Sequence, residues 1–370
     1  MLTQVVVSKQ AIEHNLKQFR GLIGKDVLLM PVVKSNAYGH GIIEIARICD
    51  LNSFVDRLCV VNLDEAINLI NNGIKKPIMV LSFYELDEKK IEIAIKHGVI
   101  FAVYLLEQIN FLNNISKKLN KKTKVHLKID TGATRIGIMP NEALLYAKKI
   151  TDTNNLELEG VFSHFASSED DLKYSKKQED TFKKTIDELE KNNIHITIKH
   201  FACSAATIFL KTAHFNAVRL GLGLYGLYPN ENSKKIVKLK PALRLNTKII
   251  QIKTIGPNTK IGYGGTYITK KQSKIAILPI GYWDGLDRKL SNTGQVIVKG
   301  IKCPIRGRIC MNLMMIDVTK IKRVQVGDEV VIIGKQGQSE IGVDELAKQI
   351  GTINYEVVDR INPLLPRIVI

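Results

Sequence analysis

Six side chains in this 370-residue chain combine reactive chemistry with a position at or near the end of an apolar run: Lys34, Lys128, Asp130, His164, Ser204 and Arg219. Lys34 follows the wholly apolar stretch Leu28–Val33. Burial at such a place lowers an ammonium pKa and frees the neutral amine, which condenses with an aldehyde. A lysine at a strand end can also extend to solvent. The residues that follow, Ser35-Asn36-Ala37-Tyr38-Gly39-His40-Gly41, favour the reactive alternative. They read as a tight glycine-bearing loop entering a helix, and they set a hydroxyl, an amide and a phenol beside the amine.

These residues need a frame that gathers them. Up to about residue 230, eight apolar, β-rich runs alternate with amphipathic stretches: Val27–Val33, Phe54–Val61, Pro77–Leu81, Ile100–Leu105, Lys124–Asp130, Leu156–His164, Ile198–Ser204 and Ala217–Gly226. Between them lie helical patterns such as Asp64–Asn72, Asp87–Lys96, Asn141–Ile150 and Tyr174–Asn192. Short apolar strands joined by helices form parallel sheets buried on both faces, and eight such units suit a (β/α)8 barrel. The C-terminal strand ends of a barrel form its active-site face, so five strands direct reactive groups into one bowl. After residue 235 the texture changes. Leu243–Ile255, Lys274–Ile280, Gln295–Val298 and Glu329–Ile333 read as strands between Gly, Pro, Asn and Asp turns, with Val343–Ile350 the best helix. The fold class is therefore α/β, with a barrel over 1–235 followed by a mainly β domain over 236–370.

Composition removes several alternatives. The formal net charge is +18, yet 42 of the 54 basic residues are Lys, dispersed along the chain without interleaved aromatics, which argues against a nucleic-acid partner. No run approaches the length of a membrane span, and the first residues lack a secretory h-region, so a cytoplasmic protein without a membrane partner is expected. Five cysteines without a C-x-x-C pair fit neither a disulfide frame nor a zinc site, and no metal is expected. Gly221, Gly223 and Gly226 satisfy G-x-G-x-x-G. However, Tyr228-Pro229-Asn230 follows in place of a helix, and the region near Asn246 lacks the acidic residue a dinucleotide site needs.

Eight segments then carry a resemblance, in order along nearly the whole chain: VVKSNAYGHG at 32–41, HLKIDTGATRIG at 126–137, SHFASSED at 163–170, RLGLGLYG at 219–226, GYGGTY at 262–267, PIGYWDG at 279–285, GRICMN at 307–312 and TINYEV at 352–357. Together they resemble the pyridoxal-phosphate-dependent alanine racemases, which supply D-alanine for peptidoglycan. The resemblance implies a homodimer with shared active sites. Lys34 would bind the cofactor covalently and act as one base, and Tyr263 from the partner subunit would be the other. His164 would link Tyr263 to Arg219, and Arg219 would meet the pyridine nitrogen. Tyr38, Ser204, Gly221, Leu222 and Tyr355 would hold the phosphate. Arg135 and the Met311 amide would meet the substrate carboxylate, Tyr282 would narrow the entrance, and Lys128 matches a lysine often carried as a carbamate. His126 and His200 read as structural or supporting. Cys203, Trp283 and Asn312 depart from the family's usual residues and put the entrance and strict alanine preference in question. A broader racemase acting on serine, or a decarboxylase of the same architecture, are the alternatives. The decarboxylases resemble this chain less, since they place an acid where Arg219 stands.

Overall fold

A computed structural model describes residues 2–370. The chain divides into two units, one of residues 11–37 and 45–241, the other of 2–10, 38–44 and 242–370.

The first unit contains eight parallel strands: Leu28–Pro31, Leu58–Val60, Ile78–Val80, Ile100–Val103, Thr123–Lys128, Leu156–Phe162, Ile198–His200 and Ala217–Leu220. Each falls within one of the eight runs read from sequence, except that the fifth begins one residue earlier, at Thr123. The first strand pairs with the last, Met30 opposite Arg219, and a single parallel bridge from Val32 to Cys59 joins it to the second. The sheet is thus an α/β barrel, closed at that point by one bridge. Its strands are short and nearly all buried, as expected where helices cover the outside and side chains fill the inside. The helices begin where side chains can cap them. Asn62, Asp87 and Asp171 each accept a hydrogen bond from the backbone N–H three residues on. One irregularity matters later. Val125 pairs with Leu158 but His126 pairs with Gly160, so Glu159 is an extra, bulged residue.

The second unit is mainly β. A seven-stranded sheet runs in the order Ile301–Pro304, Gln295–Val298, Glu329–Gln336, Leu243–Lys248, Gln4–Val7 and Arg367–Val369, with Ser339–Ile341 beside Glu329–Gln336. A smaller sheet contains Gln251–Ile255, Ser273–Leu278 and Met314–Asp317. The run Leu243–Ile255, expected as one strand, is two. The chain bends at Ile249, which pairs its backbone with Asp328 and Gly327, and the second half enters the other sheet. Burial changes with the sheet, from mostly buried before the bend to mostly exposed after it. The helix Val343–Ile350 forms as read. Gln4–Val7, from the start of the chain, completes this sheet, antiparallel to Leu243–Lys248 and parallel to Arg367–Val369. Among the described residues no helix is long and apolar enough to cross a membrane.

Candidate active site

Lys34 stands three residues beyond the first barrel strand and is half-buried. The loop after it is not held open by glycine alone. Ser35, Asn36 and Ala37 sit at φ/ψ of 53/55°, 51/41° and 52/50°, and Tyr38 has φ 53°. Four consecutive L-residues are therefore left-handed, at roughly 1–2 kcal/mol each from crowding of Cβ against the carbonyl. Such strain persists only where the surroundings enforce it. The Ser35 N–H donates to Glu65 Oε1 at 2.6 Å, the Val61 N–H donates to Glu65 Oε2 at 2.8 Å, and the Ala37 N–H returns to Val33 O. The strain is concentrated on the residues directly following Lys34.

Lys128 ends the fifth strand and is almost fully buried. Burial, then the positive charges of Arg219 and Arg135, lower its pKa from 10.5 to about 8. Its Nζ lies 5.4 Å from the Phe162 ring centroid. Asp130, two residues on, organises the loop that carries Arg135. Its Oδ1 accepts from the N–H groups of Gly132, Ala133 and Thr134 at 2.9–3.0 Å, and its Oδ2 accepts from the Arg135 N–H at 2.8 Å. Burial alone would raise the Asp130 pKa, but these four donors together lower it. The sequence marked Asp130 as a strand-end group without foreseeing this role. The Tyr174 hydroxyl donates to Gly132 O at 2.9 Å and pins the same loop from the helix Leu172–Lys191.

Arg219 is buried, and its guanidinium is held on two sides. Nη1 donates to His200 Nδ1 at 2.5 Å and to His200 O at 3.1 Å. Nη2 reaches Ser163 O at 2.6 Å, Phe201 O at 3.1 Å and His164 Nδ1 at 3.3 Å. The Nε–H has no acceptor among the described residues. Burial lowers the Arg219 pKa to about 10, so it keeps its charge at neutral pH. Burial first, then Arg219, Arg135, Lys128 and Lys34, press His164 well below the usual histidine range. His164 is therefore neutral, and accepting at Nδ1 leaves its proton on Nε2. Lys34, Lys128, Arg135, His164 and Arg219 thus form one electrostatic cluster.

Ser204 opens a short helix after the seventh strand, and its Oγ accepts from the N–H groups of Gly221 and Gly223 at 3.1 Å each. The hydroxyl proton is left to donate outward. Leu222 begins a one-turn helix, so its N–H has no partner inside that turn. Gly223 has a packing reason for its size: a Cβ there would lie 2.4 Å from Phe19 Cζ. The glycine spacing that resembles a dinucleotide loop thus serves packing against Phe19 and the amide hydrogen bonds to Ser204.

The remaining candidates belong to the second unit. The rings of Tyr38 and Tyr355 lie 5.9 Å apart. Tyr263 is 71% exposed on a turn whose glycines, Gly262, Gly264 and Gly265, all have positive φ. The turn at Tyr282 docks on the next loop, its N–H groups donating from Tyr282 to Cys310 O at 3.0 Å and from Trp283 to Met311 O at 2.9 Å. Gly281 permits this approach, since a Cβ would sit 2.2 Å from Cys310 O. The Met311 N–H makes no backbone hydrogen bond among the described residues. Tyr263, Tyr282, Trp283 and Met311 are all exposed on this unit. Nothing in the structure accounts for Asn312.

An α/β barrel with Lys34, Lys128, Arg135, His164 and Arg219 clustered by charge, followed by a mainly β domain, defines a two-domain barrel architecture. The comparisons agree. Residues 7–229 match the family model described as alanine racemase, N-terminal domain, and residues 242–369 match alanine racemase, C-terminal domain. The alanine racemase of Methanococcus maripaludis is 42% identical over 365 residues, covering 98% of this chain and 97% of its own. That of Halothermothrix orenii is 42% identical over 366 residues, covering 99% and 96%. Among solved structures, alanine racemase of Clostridium difficile 630 superposes with a TM-score of 0.93 at 36% identity, covering 100% of this chain and 96% of its own. The Bacillus anthracis enzyme, solved with bound L-Ala-P, gives 0.92 at 36% identity, covering 100% and 95%. The chain belongs to the alanine racemase family, and its activity is the pyridoxal-phosphate-dependent interconversion of L- and D-alanine.

Proposed function

We propose that Lys34 and Tyr263 carry the α-proton to and from opposite faces of alanine, with Tyr263 contributed by the partner subunit of a homodimer. Racemisation removes a proton from one face of a carbon and returns one to the other, and two bases on opposite faces are the direct solution. Pyridoxal phosphate, when bound, supplies an aldehyde that captures an amino group and a conjugated ring that spreads negative charge from the α-carbon. The residues present fit it. The single observation that carries this is the unspent Nε–H of Arg219, the one donor of a guanidinium whose other N–H groups are held by the barrel. Such a donor suits a pyridine nitrogen. With a pKa of about 10, Arg219 donates a hydrogen bond there without giving up its proton.

The other assignments follow the same chemistry. The Lys34 amine anchors the cofactor. The Ser204 hydroxyl, the Leu222 amide, Tyr38 and Tyr355 hold the phosphate, which calls for donors more than for full charges, while the Gly221 amide, expected there too, donates to Ser204 Oγ and orients that hydroxyl. Arg135 and the Met311 N–H receive the substrate carboxylate, and Tyr282 narrows the way in. The Nε2–H of neutral His164 donates to the Tyr263 oxygen, which favours the phenolate and helps a group with a free pKa of about 10 act as a base. Residues 1–235 then supply most of the cofactor contacts, and 236–370 supply the second base together with Tyr355, Tyr282 and Met311. Five free thiols suit work in the cytoplasm. Purified protein given pyridoxal phosphate and L-alanine yields D-alanine, followed with a D-amino-acid oxidase. Bound cofactor without D-alanine would reject the assignment.

Lys128 adds a pH dependence. Its amine becomes largely neutral as pH rises through about 8, and a neutral amine adds carbon dioxide to give a carbamate. That anion would sit among Arg219, Arg135 and Lys34, whose charges favour it. With 13C-bicarbonate, the carbamate carbon signal grows as pH passes through that value and is lost in Lys128→Met. Wild-type protein silent across the whole range would remove the modification.

A further inference from the structure

Glu159, His126 and His200 are buried inside the barrel, and none of them has a part in the chemistry above. They form a continuous chain that ends on Arg219. His200 Nε2 lies 2.8 Å from His126 Nδ1, and His126 Nε2 lies 2.8 Å from Glu159 Oε2. At the far end, Arg57 grips Glu159 with two nitrogens at 2.6 and 3.0 Å, and Lys124 adds a third contact at 2.7 Å.

The two ends dictate the direction of every bond between them. A guanidinium only donates, so His200 Nδ1 accepts from Arg219 and the His200 proton is on Nε2. That N–H donates to His126 Nδ1, so the His126 proton is on its own Nε2. A carboxylate only accepts, and Glu159 receives it. One arrangement of protons satisfies the whole row. Burial, the largest effect on both rings, lowers their pKa values, and for His126 it outweighs the hydrogen bond to Glu159. Burial would raise Glu159, but the hydrogen bonds of His126, Arg57 and Lys124 outweigh it and hold the carboxyl ionised.

The barrel is shaped to admit this row. The bulge at Glu159 falls where the regular pairing of the fifth and sixth strands breaks. A Cβ on Gly160 would lie 2.7 Å from two atoms of the His126 ring, so only glycine leaves the ring its place. Phe162 stacks on His200 at 4.6 Å and 6°. Buried ions and imidazoles often contribute no more stability than an apolar filling of similar volume, so stability alone is a weak reason for the row.

We infer that Glu159, His126 and His200 are positioning residues for racemisation, a one-way hydrogen-bond relay that fixes the guanidinium of Arg219 with its Nε–H free for a ligand. This rests on the assignment of Arg219 to the cofactor ring. Both imidazoles must keep one tautomer, because a second proton on His200 would face the Arg219 N–H.

Two measurements on the holoenzyme test it. In protein labelled with 15N-histidine, His126 and His200 give nitrogen signals of neutral, Nε2-protonated rings that do not move across the neutral pH range. A charged ring, or a proton on Nδ1 of either, overturns the relay, and this result needs no variant to fold. The second measurement uses cofactor carrying 15N in its ring. Glu159→Gln shifts the pyridine nitrogen signal and lowers kcat about 10-fold with KM within about twofold, the range for a residue acting through another. Gly160→Ala, which displaces His126 without touching a charge, moves the signal in the same way. Val161→Ala, buried on the same strand, lowers Tm alone. A pyridine signal unmoved in Glu159→Gln, with Tm lowered as in Val161→Ala, sinks the relay alone. A wild-type ring nitrogen with no hydrogen bond sinks the Arg219 assignment, and the relay's role falls with it.

Discussion

Replacing Lys34 by Ala lowers kcat for alanine racemisation by about 10^4-fold or more, beyond the loss of a general base by itself. The proposed mechanism gives one amine two duties, to anchor the cofactor and to carry a proton on one face of the α-carbon. Neighbouring groups cannot replace it. Lys128 is nearly fully buried at the end of another strand, and Arg219 keeps its proton. The left-handed run Ser35–Tyr38 follows directly, so a longer or shorter amine here meets a backbone with little freedom to adjust. The variant binds the cofactor through its phosphate contacts only and releases it on dialysis, losing its visible absorption. A variant that retains the cofactor covalently after dialysis places the attachment on another amine.

Tyr263→Phe gives the second largest effect, a fall of about 10²- to 10⁴-fold in racemisation, as for a removed general acid–base group. Because L- and D-alanine are equally stable in water, kcat/KM must fall equally in both directions. The asymmetry lies in the half-reactions. One enantiomer presents its α-proton to Lys34, and in heavy water it continues to exchange that proton with solvent. The other presents it to the missing phenol and does not exchange. Proton NMR of each enantiomer with the variant measures this directly. Exchange lost equally from both, or retained by both, takes the proton-carrying role away from Tyr263. Phe preserves the ring, and since Tyr263 is exposed on its own unit the substitution leaves the packing of that unit in place.

The residues differ in how far their roles could be read without coordinates. The barrel strands were legible because each is a short apolar run bounded by helices or turns. Lys128 ends its strand as read, whereas Lys34, His164 and Ser204, read as closing theirs, stand two to four residues beyond them. Gln4–Val7 was not legible as part of the β domain. Four residues carry no signal of which distant partner they pair with, and their partners lie some 240 and 360 positions away. The left-handed turn was hidden for a different reason. Local sterics argue against that conformation for Ser, Asn, Ala and Tyr, so only tertiary contacts such as Ser35 to Glu65 reveal it. The relay left a faint trace. Glu159 is the second of two glutamates in the strand Leu156–Phe162 and, unlike Glu157, is buried beside Gly160, and a charge there requires a partner. Which partner it takes depends on the strand register, and the bulge shifts that register by one residue.

The central claim is that each active centre takes Lys34 from one subunit and Tyr263 from the other. Mixing Lys34→Ala protein with Tyr263→Phe protein under conditions of subunit exchange tests it most directly. Each hybrid dimer then holds one centre with both substitutions and one with neither, and an equal mixture recovers about one quarter of wild-type activity. A mixture no more active than the sum of its two inactive components, after exchange is demonstrated, contradicts the account.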